Sequence, residues 1–161
     1  MLALTGTVAN ADPAKAEDDA YSMAIHYTQR GFAMAPTNHN GVGGTGTVIR
    51  FLIPVTKGLD YVFLVGVDQA ALDTDLYIYD EVGSLILDDR RPAKRAGVKF
   101  RASYNGTVQA YLHLARANGL ASYSVLVGRR TTAYASAQQA QEDKPAVEPV
   151  EAPKAPAPSA P

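Results

Sequence analysis

The stretch Asp73-Thr-Asp-Leu-Tyr-Ile-Tyr-Asp-Glu-Val-Gly-Ser-Leu-Ile-Leu-Asp-Asp89 decides the fold. Two short runs of β-forming residues, Asp75–Asp80 and Ser84–Asp88, flank Asp80-Glu81-Val82-Gly83. Glycine there can take a positive φ, so the segment predicts a hairpin. The same period of two extends outward from it, from Thr45 to Val127.

Upstream, Thr47–Ile53 predicts a strand with Val48, Arg50 and Leu52 on one face and Ile49, Phe51 and Ile53 on the other, ended by Pro54. Tyr61–Val67 is apolar on both faces, which predicts a central strand, with Gly66 at a bulge or a close approach. Downstream, Gly97–Ser103 places Val98, Phe100 and Ala102 inward and Lys99 and Arg101 outward. Asn105-Gly106 then predicts a tight hairpin returning into Thr107–Ala115, and Asn118-Gly119 a further turn before Ser122–Val127. The expected fold class from this pattern is mainly β: an antiparallel β-sandwich of about seven to eight strands.

The ends read differently. Residues 1–16 contain a short apolar run closing on Ala9-Asn10-Ala11, the small-x-small pattern that a signal peptidase cuts after, which predicts an export-signal remnant or a disordered leader. Residues 131–161, rich in Ala and Pro, predict a disordered tail, because so little apolar surface cannot offset the entropy of ordering it. The folded domain is then 17–130. At its start Tyr21, Ala24, Ile25 and Thr28 recur at helical spacing behind Glu17-Asp18-Asp19, predicting one N-terminal helix over about 18–30. A short strand over 32–35 and a flexible Gly-rich loop over 38–46 follow.

Of 161 residues none is Cys or Trp, and the formal net charge is -1. The missing sulfur excludes disulfide scaffolds, Cys-ligated zinc and thiol nucleophiles. Near-neutrality argues against a nucleic-acid partner, and no apolar run is long enough for a membrane span.

The most prominent candidate for chemistry is acidic. A hairpin turning at Glu81-Val82 sets Asp75 near Asp88 and brings Asp73 and Asp89 to the same end. These four hard-oxygen donors form a candidate Ca²⁺ site. Set against it, Arg90, Arg91, Lys94 and Arg95 follow at once and can neutralise the carboxylates as surface ion pairs. Tyr77 and Tyr79 share one strand face and form a candidate ligand surface, against the alternative that they simply pack. His26, His39 and His113 lie in no hydrolase motif, so no catalytic residue is assigned.

The segment 73–89, with Val98-Lys-Phe100, Asn105–Leu112 and Ala121–Val127, resembles bacterial pre-peptidase C-terminal domains. The resemblance covers about residues 45–130. It implies a secreted jelly-roll sandwich, similar in architecture to the collagen-binding domains of collagenases, and some members of those groups bind calcium. The front helix and the missing catalytic domain depart from that pattern.

The expected function is a non-catalytic exported binding or interaction module, periplasmic or secreted, whose partner is a protein or polysaccharide of the envelope. The alternatives are a calcium-stabilised structural envelope component tethered by its tail and, further off, a hydrolase.

Overall fold

The computed structural model describes residues 10–35 and 39–130. The expected leader over 1–9 and the expected tail over 131–161 lie outside the described residues. One helix, α1 (Pro13–Thr28), precedes nine strands. They are β1 (Ala33–Met34), β2 (His39–Gly43), β3 (Thr47–Val55), β4 (Asp60–Val67), β5 (Ala71–Tyr79), β6 (Leu85–Asp89), β7 (Ala96–Arg101), β8 (Gly106–Ala117) and β9 (Ala121–Arg130).

The strands form two antiparallel sheets. One runs β1-β9-β4-β7, with β2 also pairing with β9; the other runs β3-β8-β5-β6. Met34 opposes Gly128 and His39 opposes Val125, so β1 and β2 occupy successive stretches of one edge of β9 and act as a single interrupted strand. The two antiparallel sheets form the sandwich that the alternation predicts, and the order β2-β9-β4-β7 over β3-β8-β5-β6 is that of a jelly roll. Between the sheets lies the main core, with Phe63, Leu76, Ile78, Leu112 and Leu114 fully enclosed.

The partner of each strand differs from expectation where turn chemistry was the guide. Asn105-Gly106 does not close a hairpin: β7 pairs with β4, and β8 with β3 and β5, so the turn is an arch between sheets. Asn105 Oδ1 accepts the Lys57 N–H at 2.8 Å and ties two such arches together. The hairpin at Asp80–Ser84 does form between β5 and β6, with Gly83 at φ 87° and the Asp80 carboxylate accepting the N–H groups of Val82 and Ser84. Strand β3 runs through Pro54 to Val55 instead of stopping before it. It is an edge strand paired only with β8, where a residue lacking an N–H costs the ladder little.

The expected flexible loop over 38–46 contains β2. Gly41 is required there because the ring of Tyr123, on the neighbouring strand, fills the place of a side chain; a Cβ would lie 2.9 Å from Tyr123 Cε1.

The helix begins earlier than the acidic run suggested. Asp12 caps it, accepting the Lys15 N–H at 3.2 Å, and Pro13 occupies its first turn with φ already suited to a helix. Residues 12–16 therefore belong to the fold, not to a leader. The helix ends on Gly31 at φ 79°, with the Phe32 N–H returning to the Tyr27 carbonyl at 3.0 Å.

Its buried stripe is Ala16, Ala20 and Ala24, whereas Tyr21 and Ile25 are 45% and 58% exposed. The reason lies in β4. A Cβ on Gly66 would stand 2.6 Å from the Ala20 Cα and 2.5 Å from the Ala16 carbonyl oxygen, so the helix backbone rests directly on the sheet and only methyl groups fit beneath it. A second core of Ala20, Ala24, Phe32, Val62, Leu64 and Leu126 fills that layer. This is why β4 and β9 are buried on both faces.

Candidate functional site

Among the described residues no helix lies on the outer face of the sheet β3-β8-β5-β6. Alternation places Tyr77 and Tyr79 of β5 on it, and register adds neighbours from three other strands. Across the sheet, Val48, His113 and Asp75 form one row; Arg50, Tyr111, Tyr77 and Asp88 a second; Leu52, Gln109, Tyr79 and Leu85 a third. Tyr79 and Tyr111 meet edge to face with centroids 5.4 Å apart. Val48, Tyr77, Tyr79, Gln109, Tyr111 and His113 line an open depression of about 450 Å³ together with Gly83 of the β5–β6 turn.

Hydrogen bonds among the polar groups fix their positions. The Tyr77 hydroxyl donates to Asp75 Oδ2 at 3.3 Å, and His113 Nδ1 lies 3.1 Å from the same oxygen. A carboxylate accepts, so Nδ1 is the ring nitrogen that faces it as donor and Nε2 is turned away from it. The Tyr111 hydroxyl donates to Gln109 Oε1 at 3.2 Å, while Gln109 Nε2 donates to the Asp80 carbonyl at 3.3 Å. Partial burial, then the charge and hydrogen bond of Asp75, push the Tyr77 hydroxyl above its ordinary pKa, so it stays protonated.

This arrangement can bind; it lacks the parts of a covalent catalyst. His113 and Asp75 resemble a base with its orienting carboxylate, but the hydroxyl beside them, that of Tyr77, is committed to the same carboxylate. His26 is exposed on α1 with Tyr27 edge-on to it at 5.3 Å, and the His39 ring packs 4.7 Å from that of Phe51.

The four aspartates do not converge. The β5–β6 register opposes Asp88 with Tyr77, not with Asp75, which instead opposes His113 on β8. Asp73 accepts the Ala93 N–H at 3.2 Å, and Asp88 pairs with Arg90 at 2.9 Å. Asp89 points to the other side of its strand, is buried, and takes both Arg91 Nε and Nη2 at 2.8 Å together with the Gly97 N–H at 3.0 Å. Its carboxyl pKa falls to about 2, chiefly through the Arg91 hydrogen bonds, against an opposing push from burial. Among the described residues no three His, Asp or Glu side chains gather as a metal ion would need. The register accounts for the separation of Asp75 from Asp88: Leu76 with Asp89, Tyr77 with Asp88 and Ile78 with Leu87 are the observed pairs, so Asp88 sits two residues along β5 from Asp75 on the same face, with the ring of Tyr77 opposite it.

Tyr77 and Tyr79 share the outer face, as alternation predicts, and Gln109 and His113, which the sequence did not place beside them, join them there. Their shared parity with Tyr111 along Thr107–Ala115 was a usable signal, but it becomes a site only once β8 is known to lie beside β5. Tyr123, by contrast, is buried against Phe51.

No protein-family model matches the chain, and no curated protein matches it. Among solved structures it is similar to the crystal structure of Aeromonas hydrophila PliG, a periplasmic lysozyme inhibitor of g-type lysozyme, at 11% identity and a TM-score of 0.48, covering 63% of this chain and 90% of that one.

Proposed function

We propose that the protein is a non-catalytic exported binding module of the cell envelope, and that its ligand is a neutral polysaccharide seated on the tyrosine face. The observation that carries this reading is the depression on β3-β8-β5-β6. There the rings of Tyr77, Tyr79 and Tyr111 stand beside a fixed set of donors and acceptors on Gln109, His113 and Asp75. A sugar ring offers an apolar C–H face to stack on an aromatic ring and hydroxyls around its edge for such polar groups. A flat apolar patch would suit a protein partner better; here the centre of the face is polar and hydrogen-bonded. Ala9-Asn10-Ala11 supports export.

The experiment is co-sedimentation of the full chain with insoluble envelope polysaccharide. Tyr77→Ala and Tyr111→Ala should each lose most of the bound fraction while keeping the wild-type fold. Equal retention by both variants refutes the assigned face, and capture of the chain by envelope protein alone refutes the ligand class.

A further inference from the structure

We propose that the peptide bond between Ala11 and Asp12 is a processing site, and that the buried carboxylate of Asp68 receives the new N-terminus as an ion pair. The inference rests on the export part of the reading above and is independent of the polysaccharide.

Two observations meet at this bond. In the sequence, Ala9 and Ala11 put small side chains at the positions a signal-type peptidase needs before the bond it cuts. In the fold, the residue after that bond begins the helix: Asp12 caps α1, and its backbone N–H donates to Asp68 Oδ2 at 2.8 Å.

Asp68 is an unusual acceptor. It is 3% exposed, and its carboxylate also takes the N–H groups of Ala70 and Ser122, each at 2.9 Å. Among the described residues no cationic side chain pairs with it. A buried carboxylate held only by neutral amides is costly compared with one that faces a charge.

Hydrolysis of the Ala11–Asp12 bond supplies that charge without moving an atom of the fold. Water adds its oxygen to the Ala11 carbonyl carbon, the C–N bond breaks, and Ala11 leaves as a carboxylate. The Asp12 nitrogen keeps its place and takes up protons to become an ammonium. The hydrogen bond to Asp68 becomes charge-assisted, the stronger kind. A helix N-terminus disfavours a cation, and here the carboxylates of Asp12 and Asp68 flank the ammonium and offset that field. Because Asp68 follows β4 and also binds Ser122 at the start of β9, the pair clamps the front of α1 to the central strands.

The test places the basic and apolar parts of an export signal, without a small-x-small sequence of their own, before Met1 of the full chain and produces it in a bacterium. N-terminal sequencing and intact mass of the envelope fraction should show a chain starting at Asp12, and Ala11→Leu should abolish the cut. An envelope protein that is uncut, or cut at another bond, overturns the proposal and leaves export standing; retention in the cytosol overturns both.

On the recovered protein, acetylation of the α-amine at neutral pH should run several-fold slower when folded than in urea, because an ammonium held against Asp68 has no free lone pair to react. Asp68→Asn should remove the protection. Equal rates in the folded and unfolded wild type overturn the ion pair even if the Asp68 variant does not fold.

Discussion

Among the described residues, one outer face of this sandwich is covered by a helix over strands that are apolar on both sides, and the other is bare over strands that alternate. On the covered face, Gly66 and Ser124 oppose each other at the centre, with Val62, Leu64 and Leu126 beyond them. The helix that lies there presents Ala16, Ala20 and Ala24. On the bare face, the central positions belong to Tyr77, Tyr79, Tyr111 and His113. Small residues let a backbone approach until its own atoms make the contact, while rings and hydrogen-bonded polar tips hold any backbone at a distance. A face covered from within its own chain and a face without that cover therefore differ first in side-chain size at the centre.

The sharpest way to break the comparison is to give the covered face a side chain. Gly66→Val drives a branched group into the backbone of α1 at Ala16 and Ala20, and should cost about 3 kcal/mol or more, read as a lower urea midpoint. A variant as stable as wild type would show that the helix is not seated on that glycine.

Next in size is the seam between the sheets, where Asp89 at the end of β6 accepts the N–H of Gly97 on β7. Its pKa in the fold, about 2, lies below the ordinary 3.8, so ionisation favours the folded state. That contribution is complete above the ordinary value and is lost as pH falls from about 4 to about 2. Asp89→Asn should destabilise by on the order of 1–2 kcal/mol at neutral pH, allowing for solvent screening of the exposed Arg91, and the gap to wild type should close across that acid window. A gap independent of pH would assign the loss to packing.

On the bare face the effect should move from stability to binding. Tyr77→Ala should change stability by less than about 1 kcal/mol, since the ring is partly exposed and its hydroxyl makes a single hydrogen bond, while weakening polysaccharide binding at least about tenfold. A large loss of stability would make the tyrosines structural and erase the contrast with the covered face. The smallest effect should be that of millimolar Ca²⁺, which should leave the melting temperature where it is, because Asp73, Asp75, Asp88 and Asp89 are directed to different partners. A rise of several degrees that is lost in Asp75→Asn or Asp88→Asn would restore the calcium reading.

Which parts of this were legible can be followed residue by residue. Inward and outward faces were read correctly along β3 and β7: Val48 and Leu52 are exposed, Ile53 is buried, and Val98 and Ala102 are buried beside exposed Lys99 and Arg101. The doubly apolar Tyr61–Val67 is the central β4, and Gly66 is the close approach that its place in that run suggested. The inner stripe of α1 was misread because large apolar residues, Tyr21 and Ile25, outweigh alanines in any hydrophobic pattern. What decided the stripe was the space above Gly66, which is set by a strand some forty residues away.

The sequence by itself determined that strands alternate, where they turn, and that the chain folds as an antiparallel β-sandwich behind one helix, because alternation and turn geometry are properties of neighbouring residues. Only the tertiary structure decided which strands are partners. A glycine turn serves an arch between two sheets as readily as a hairpin within one, so Asn105-Gly106 leads away from β7's own sheet, and a one-residue change of register exchanges faces. Pairing sets His113 of β8 opposite Asp75 and Asp88 of β6 opposite Tyr77, two residues further along β5, so an expected cluster of four carboxylates gives way to a tyrosine-lined face.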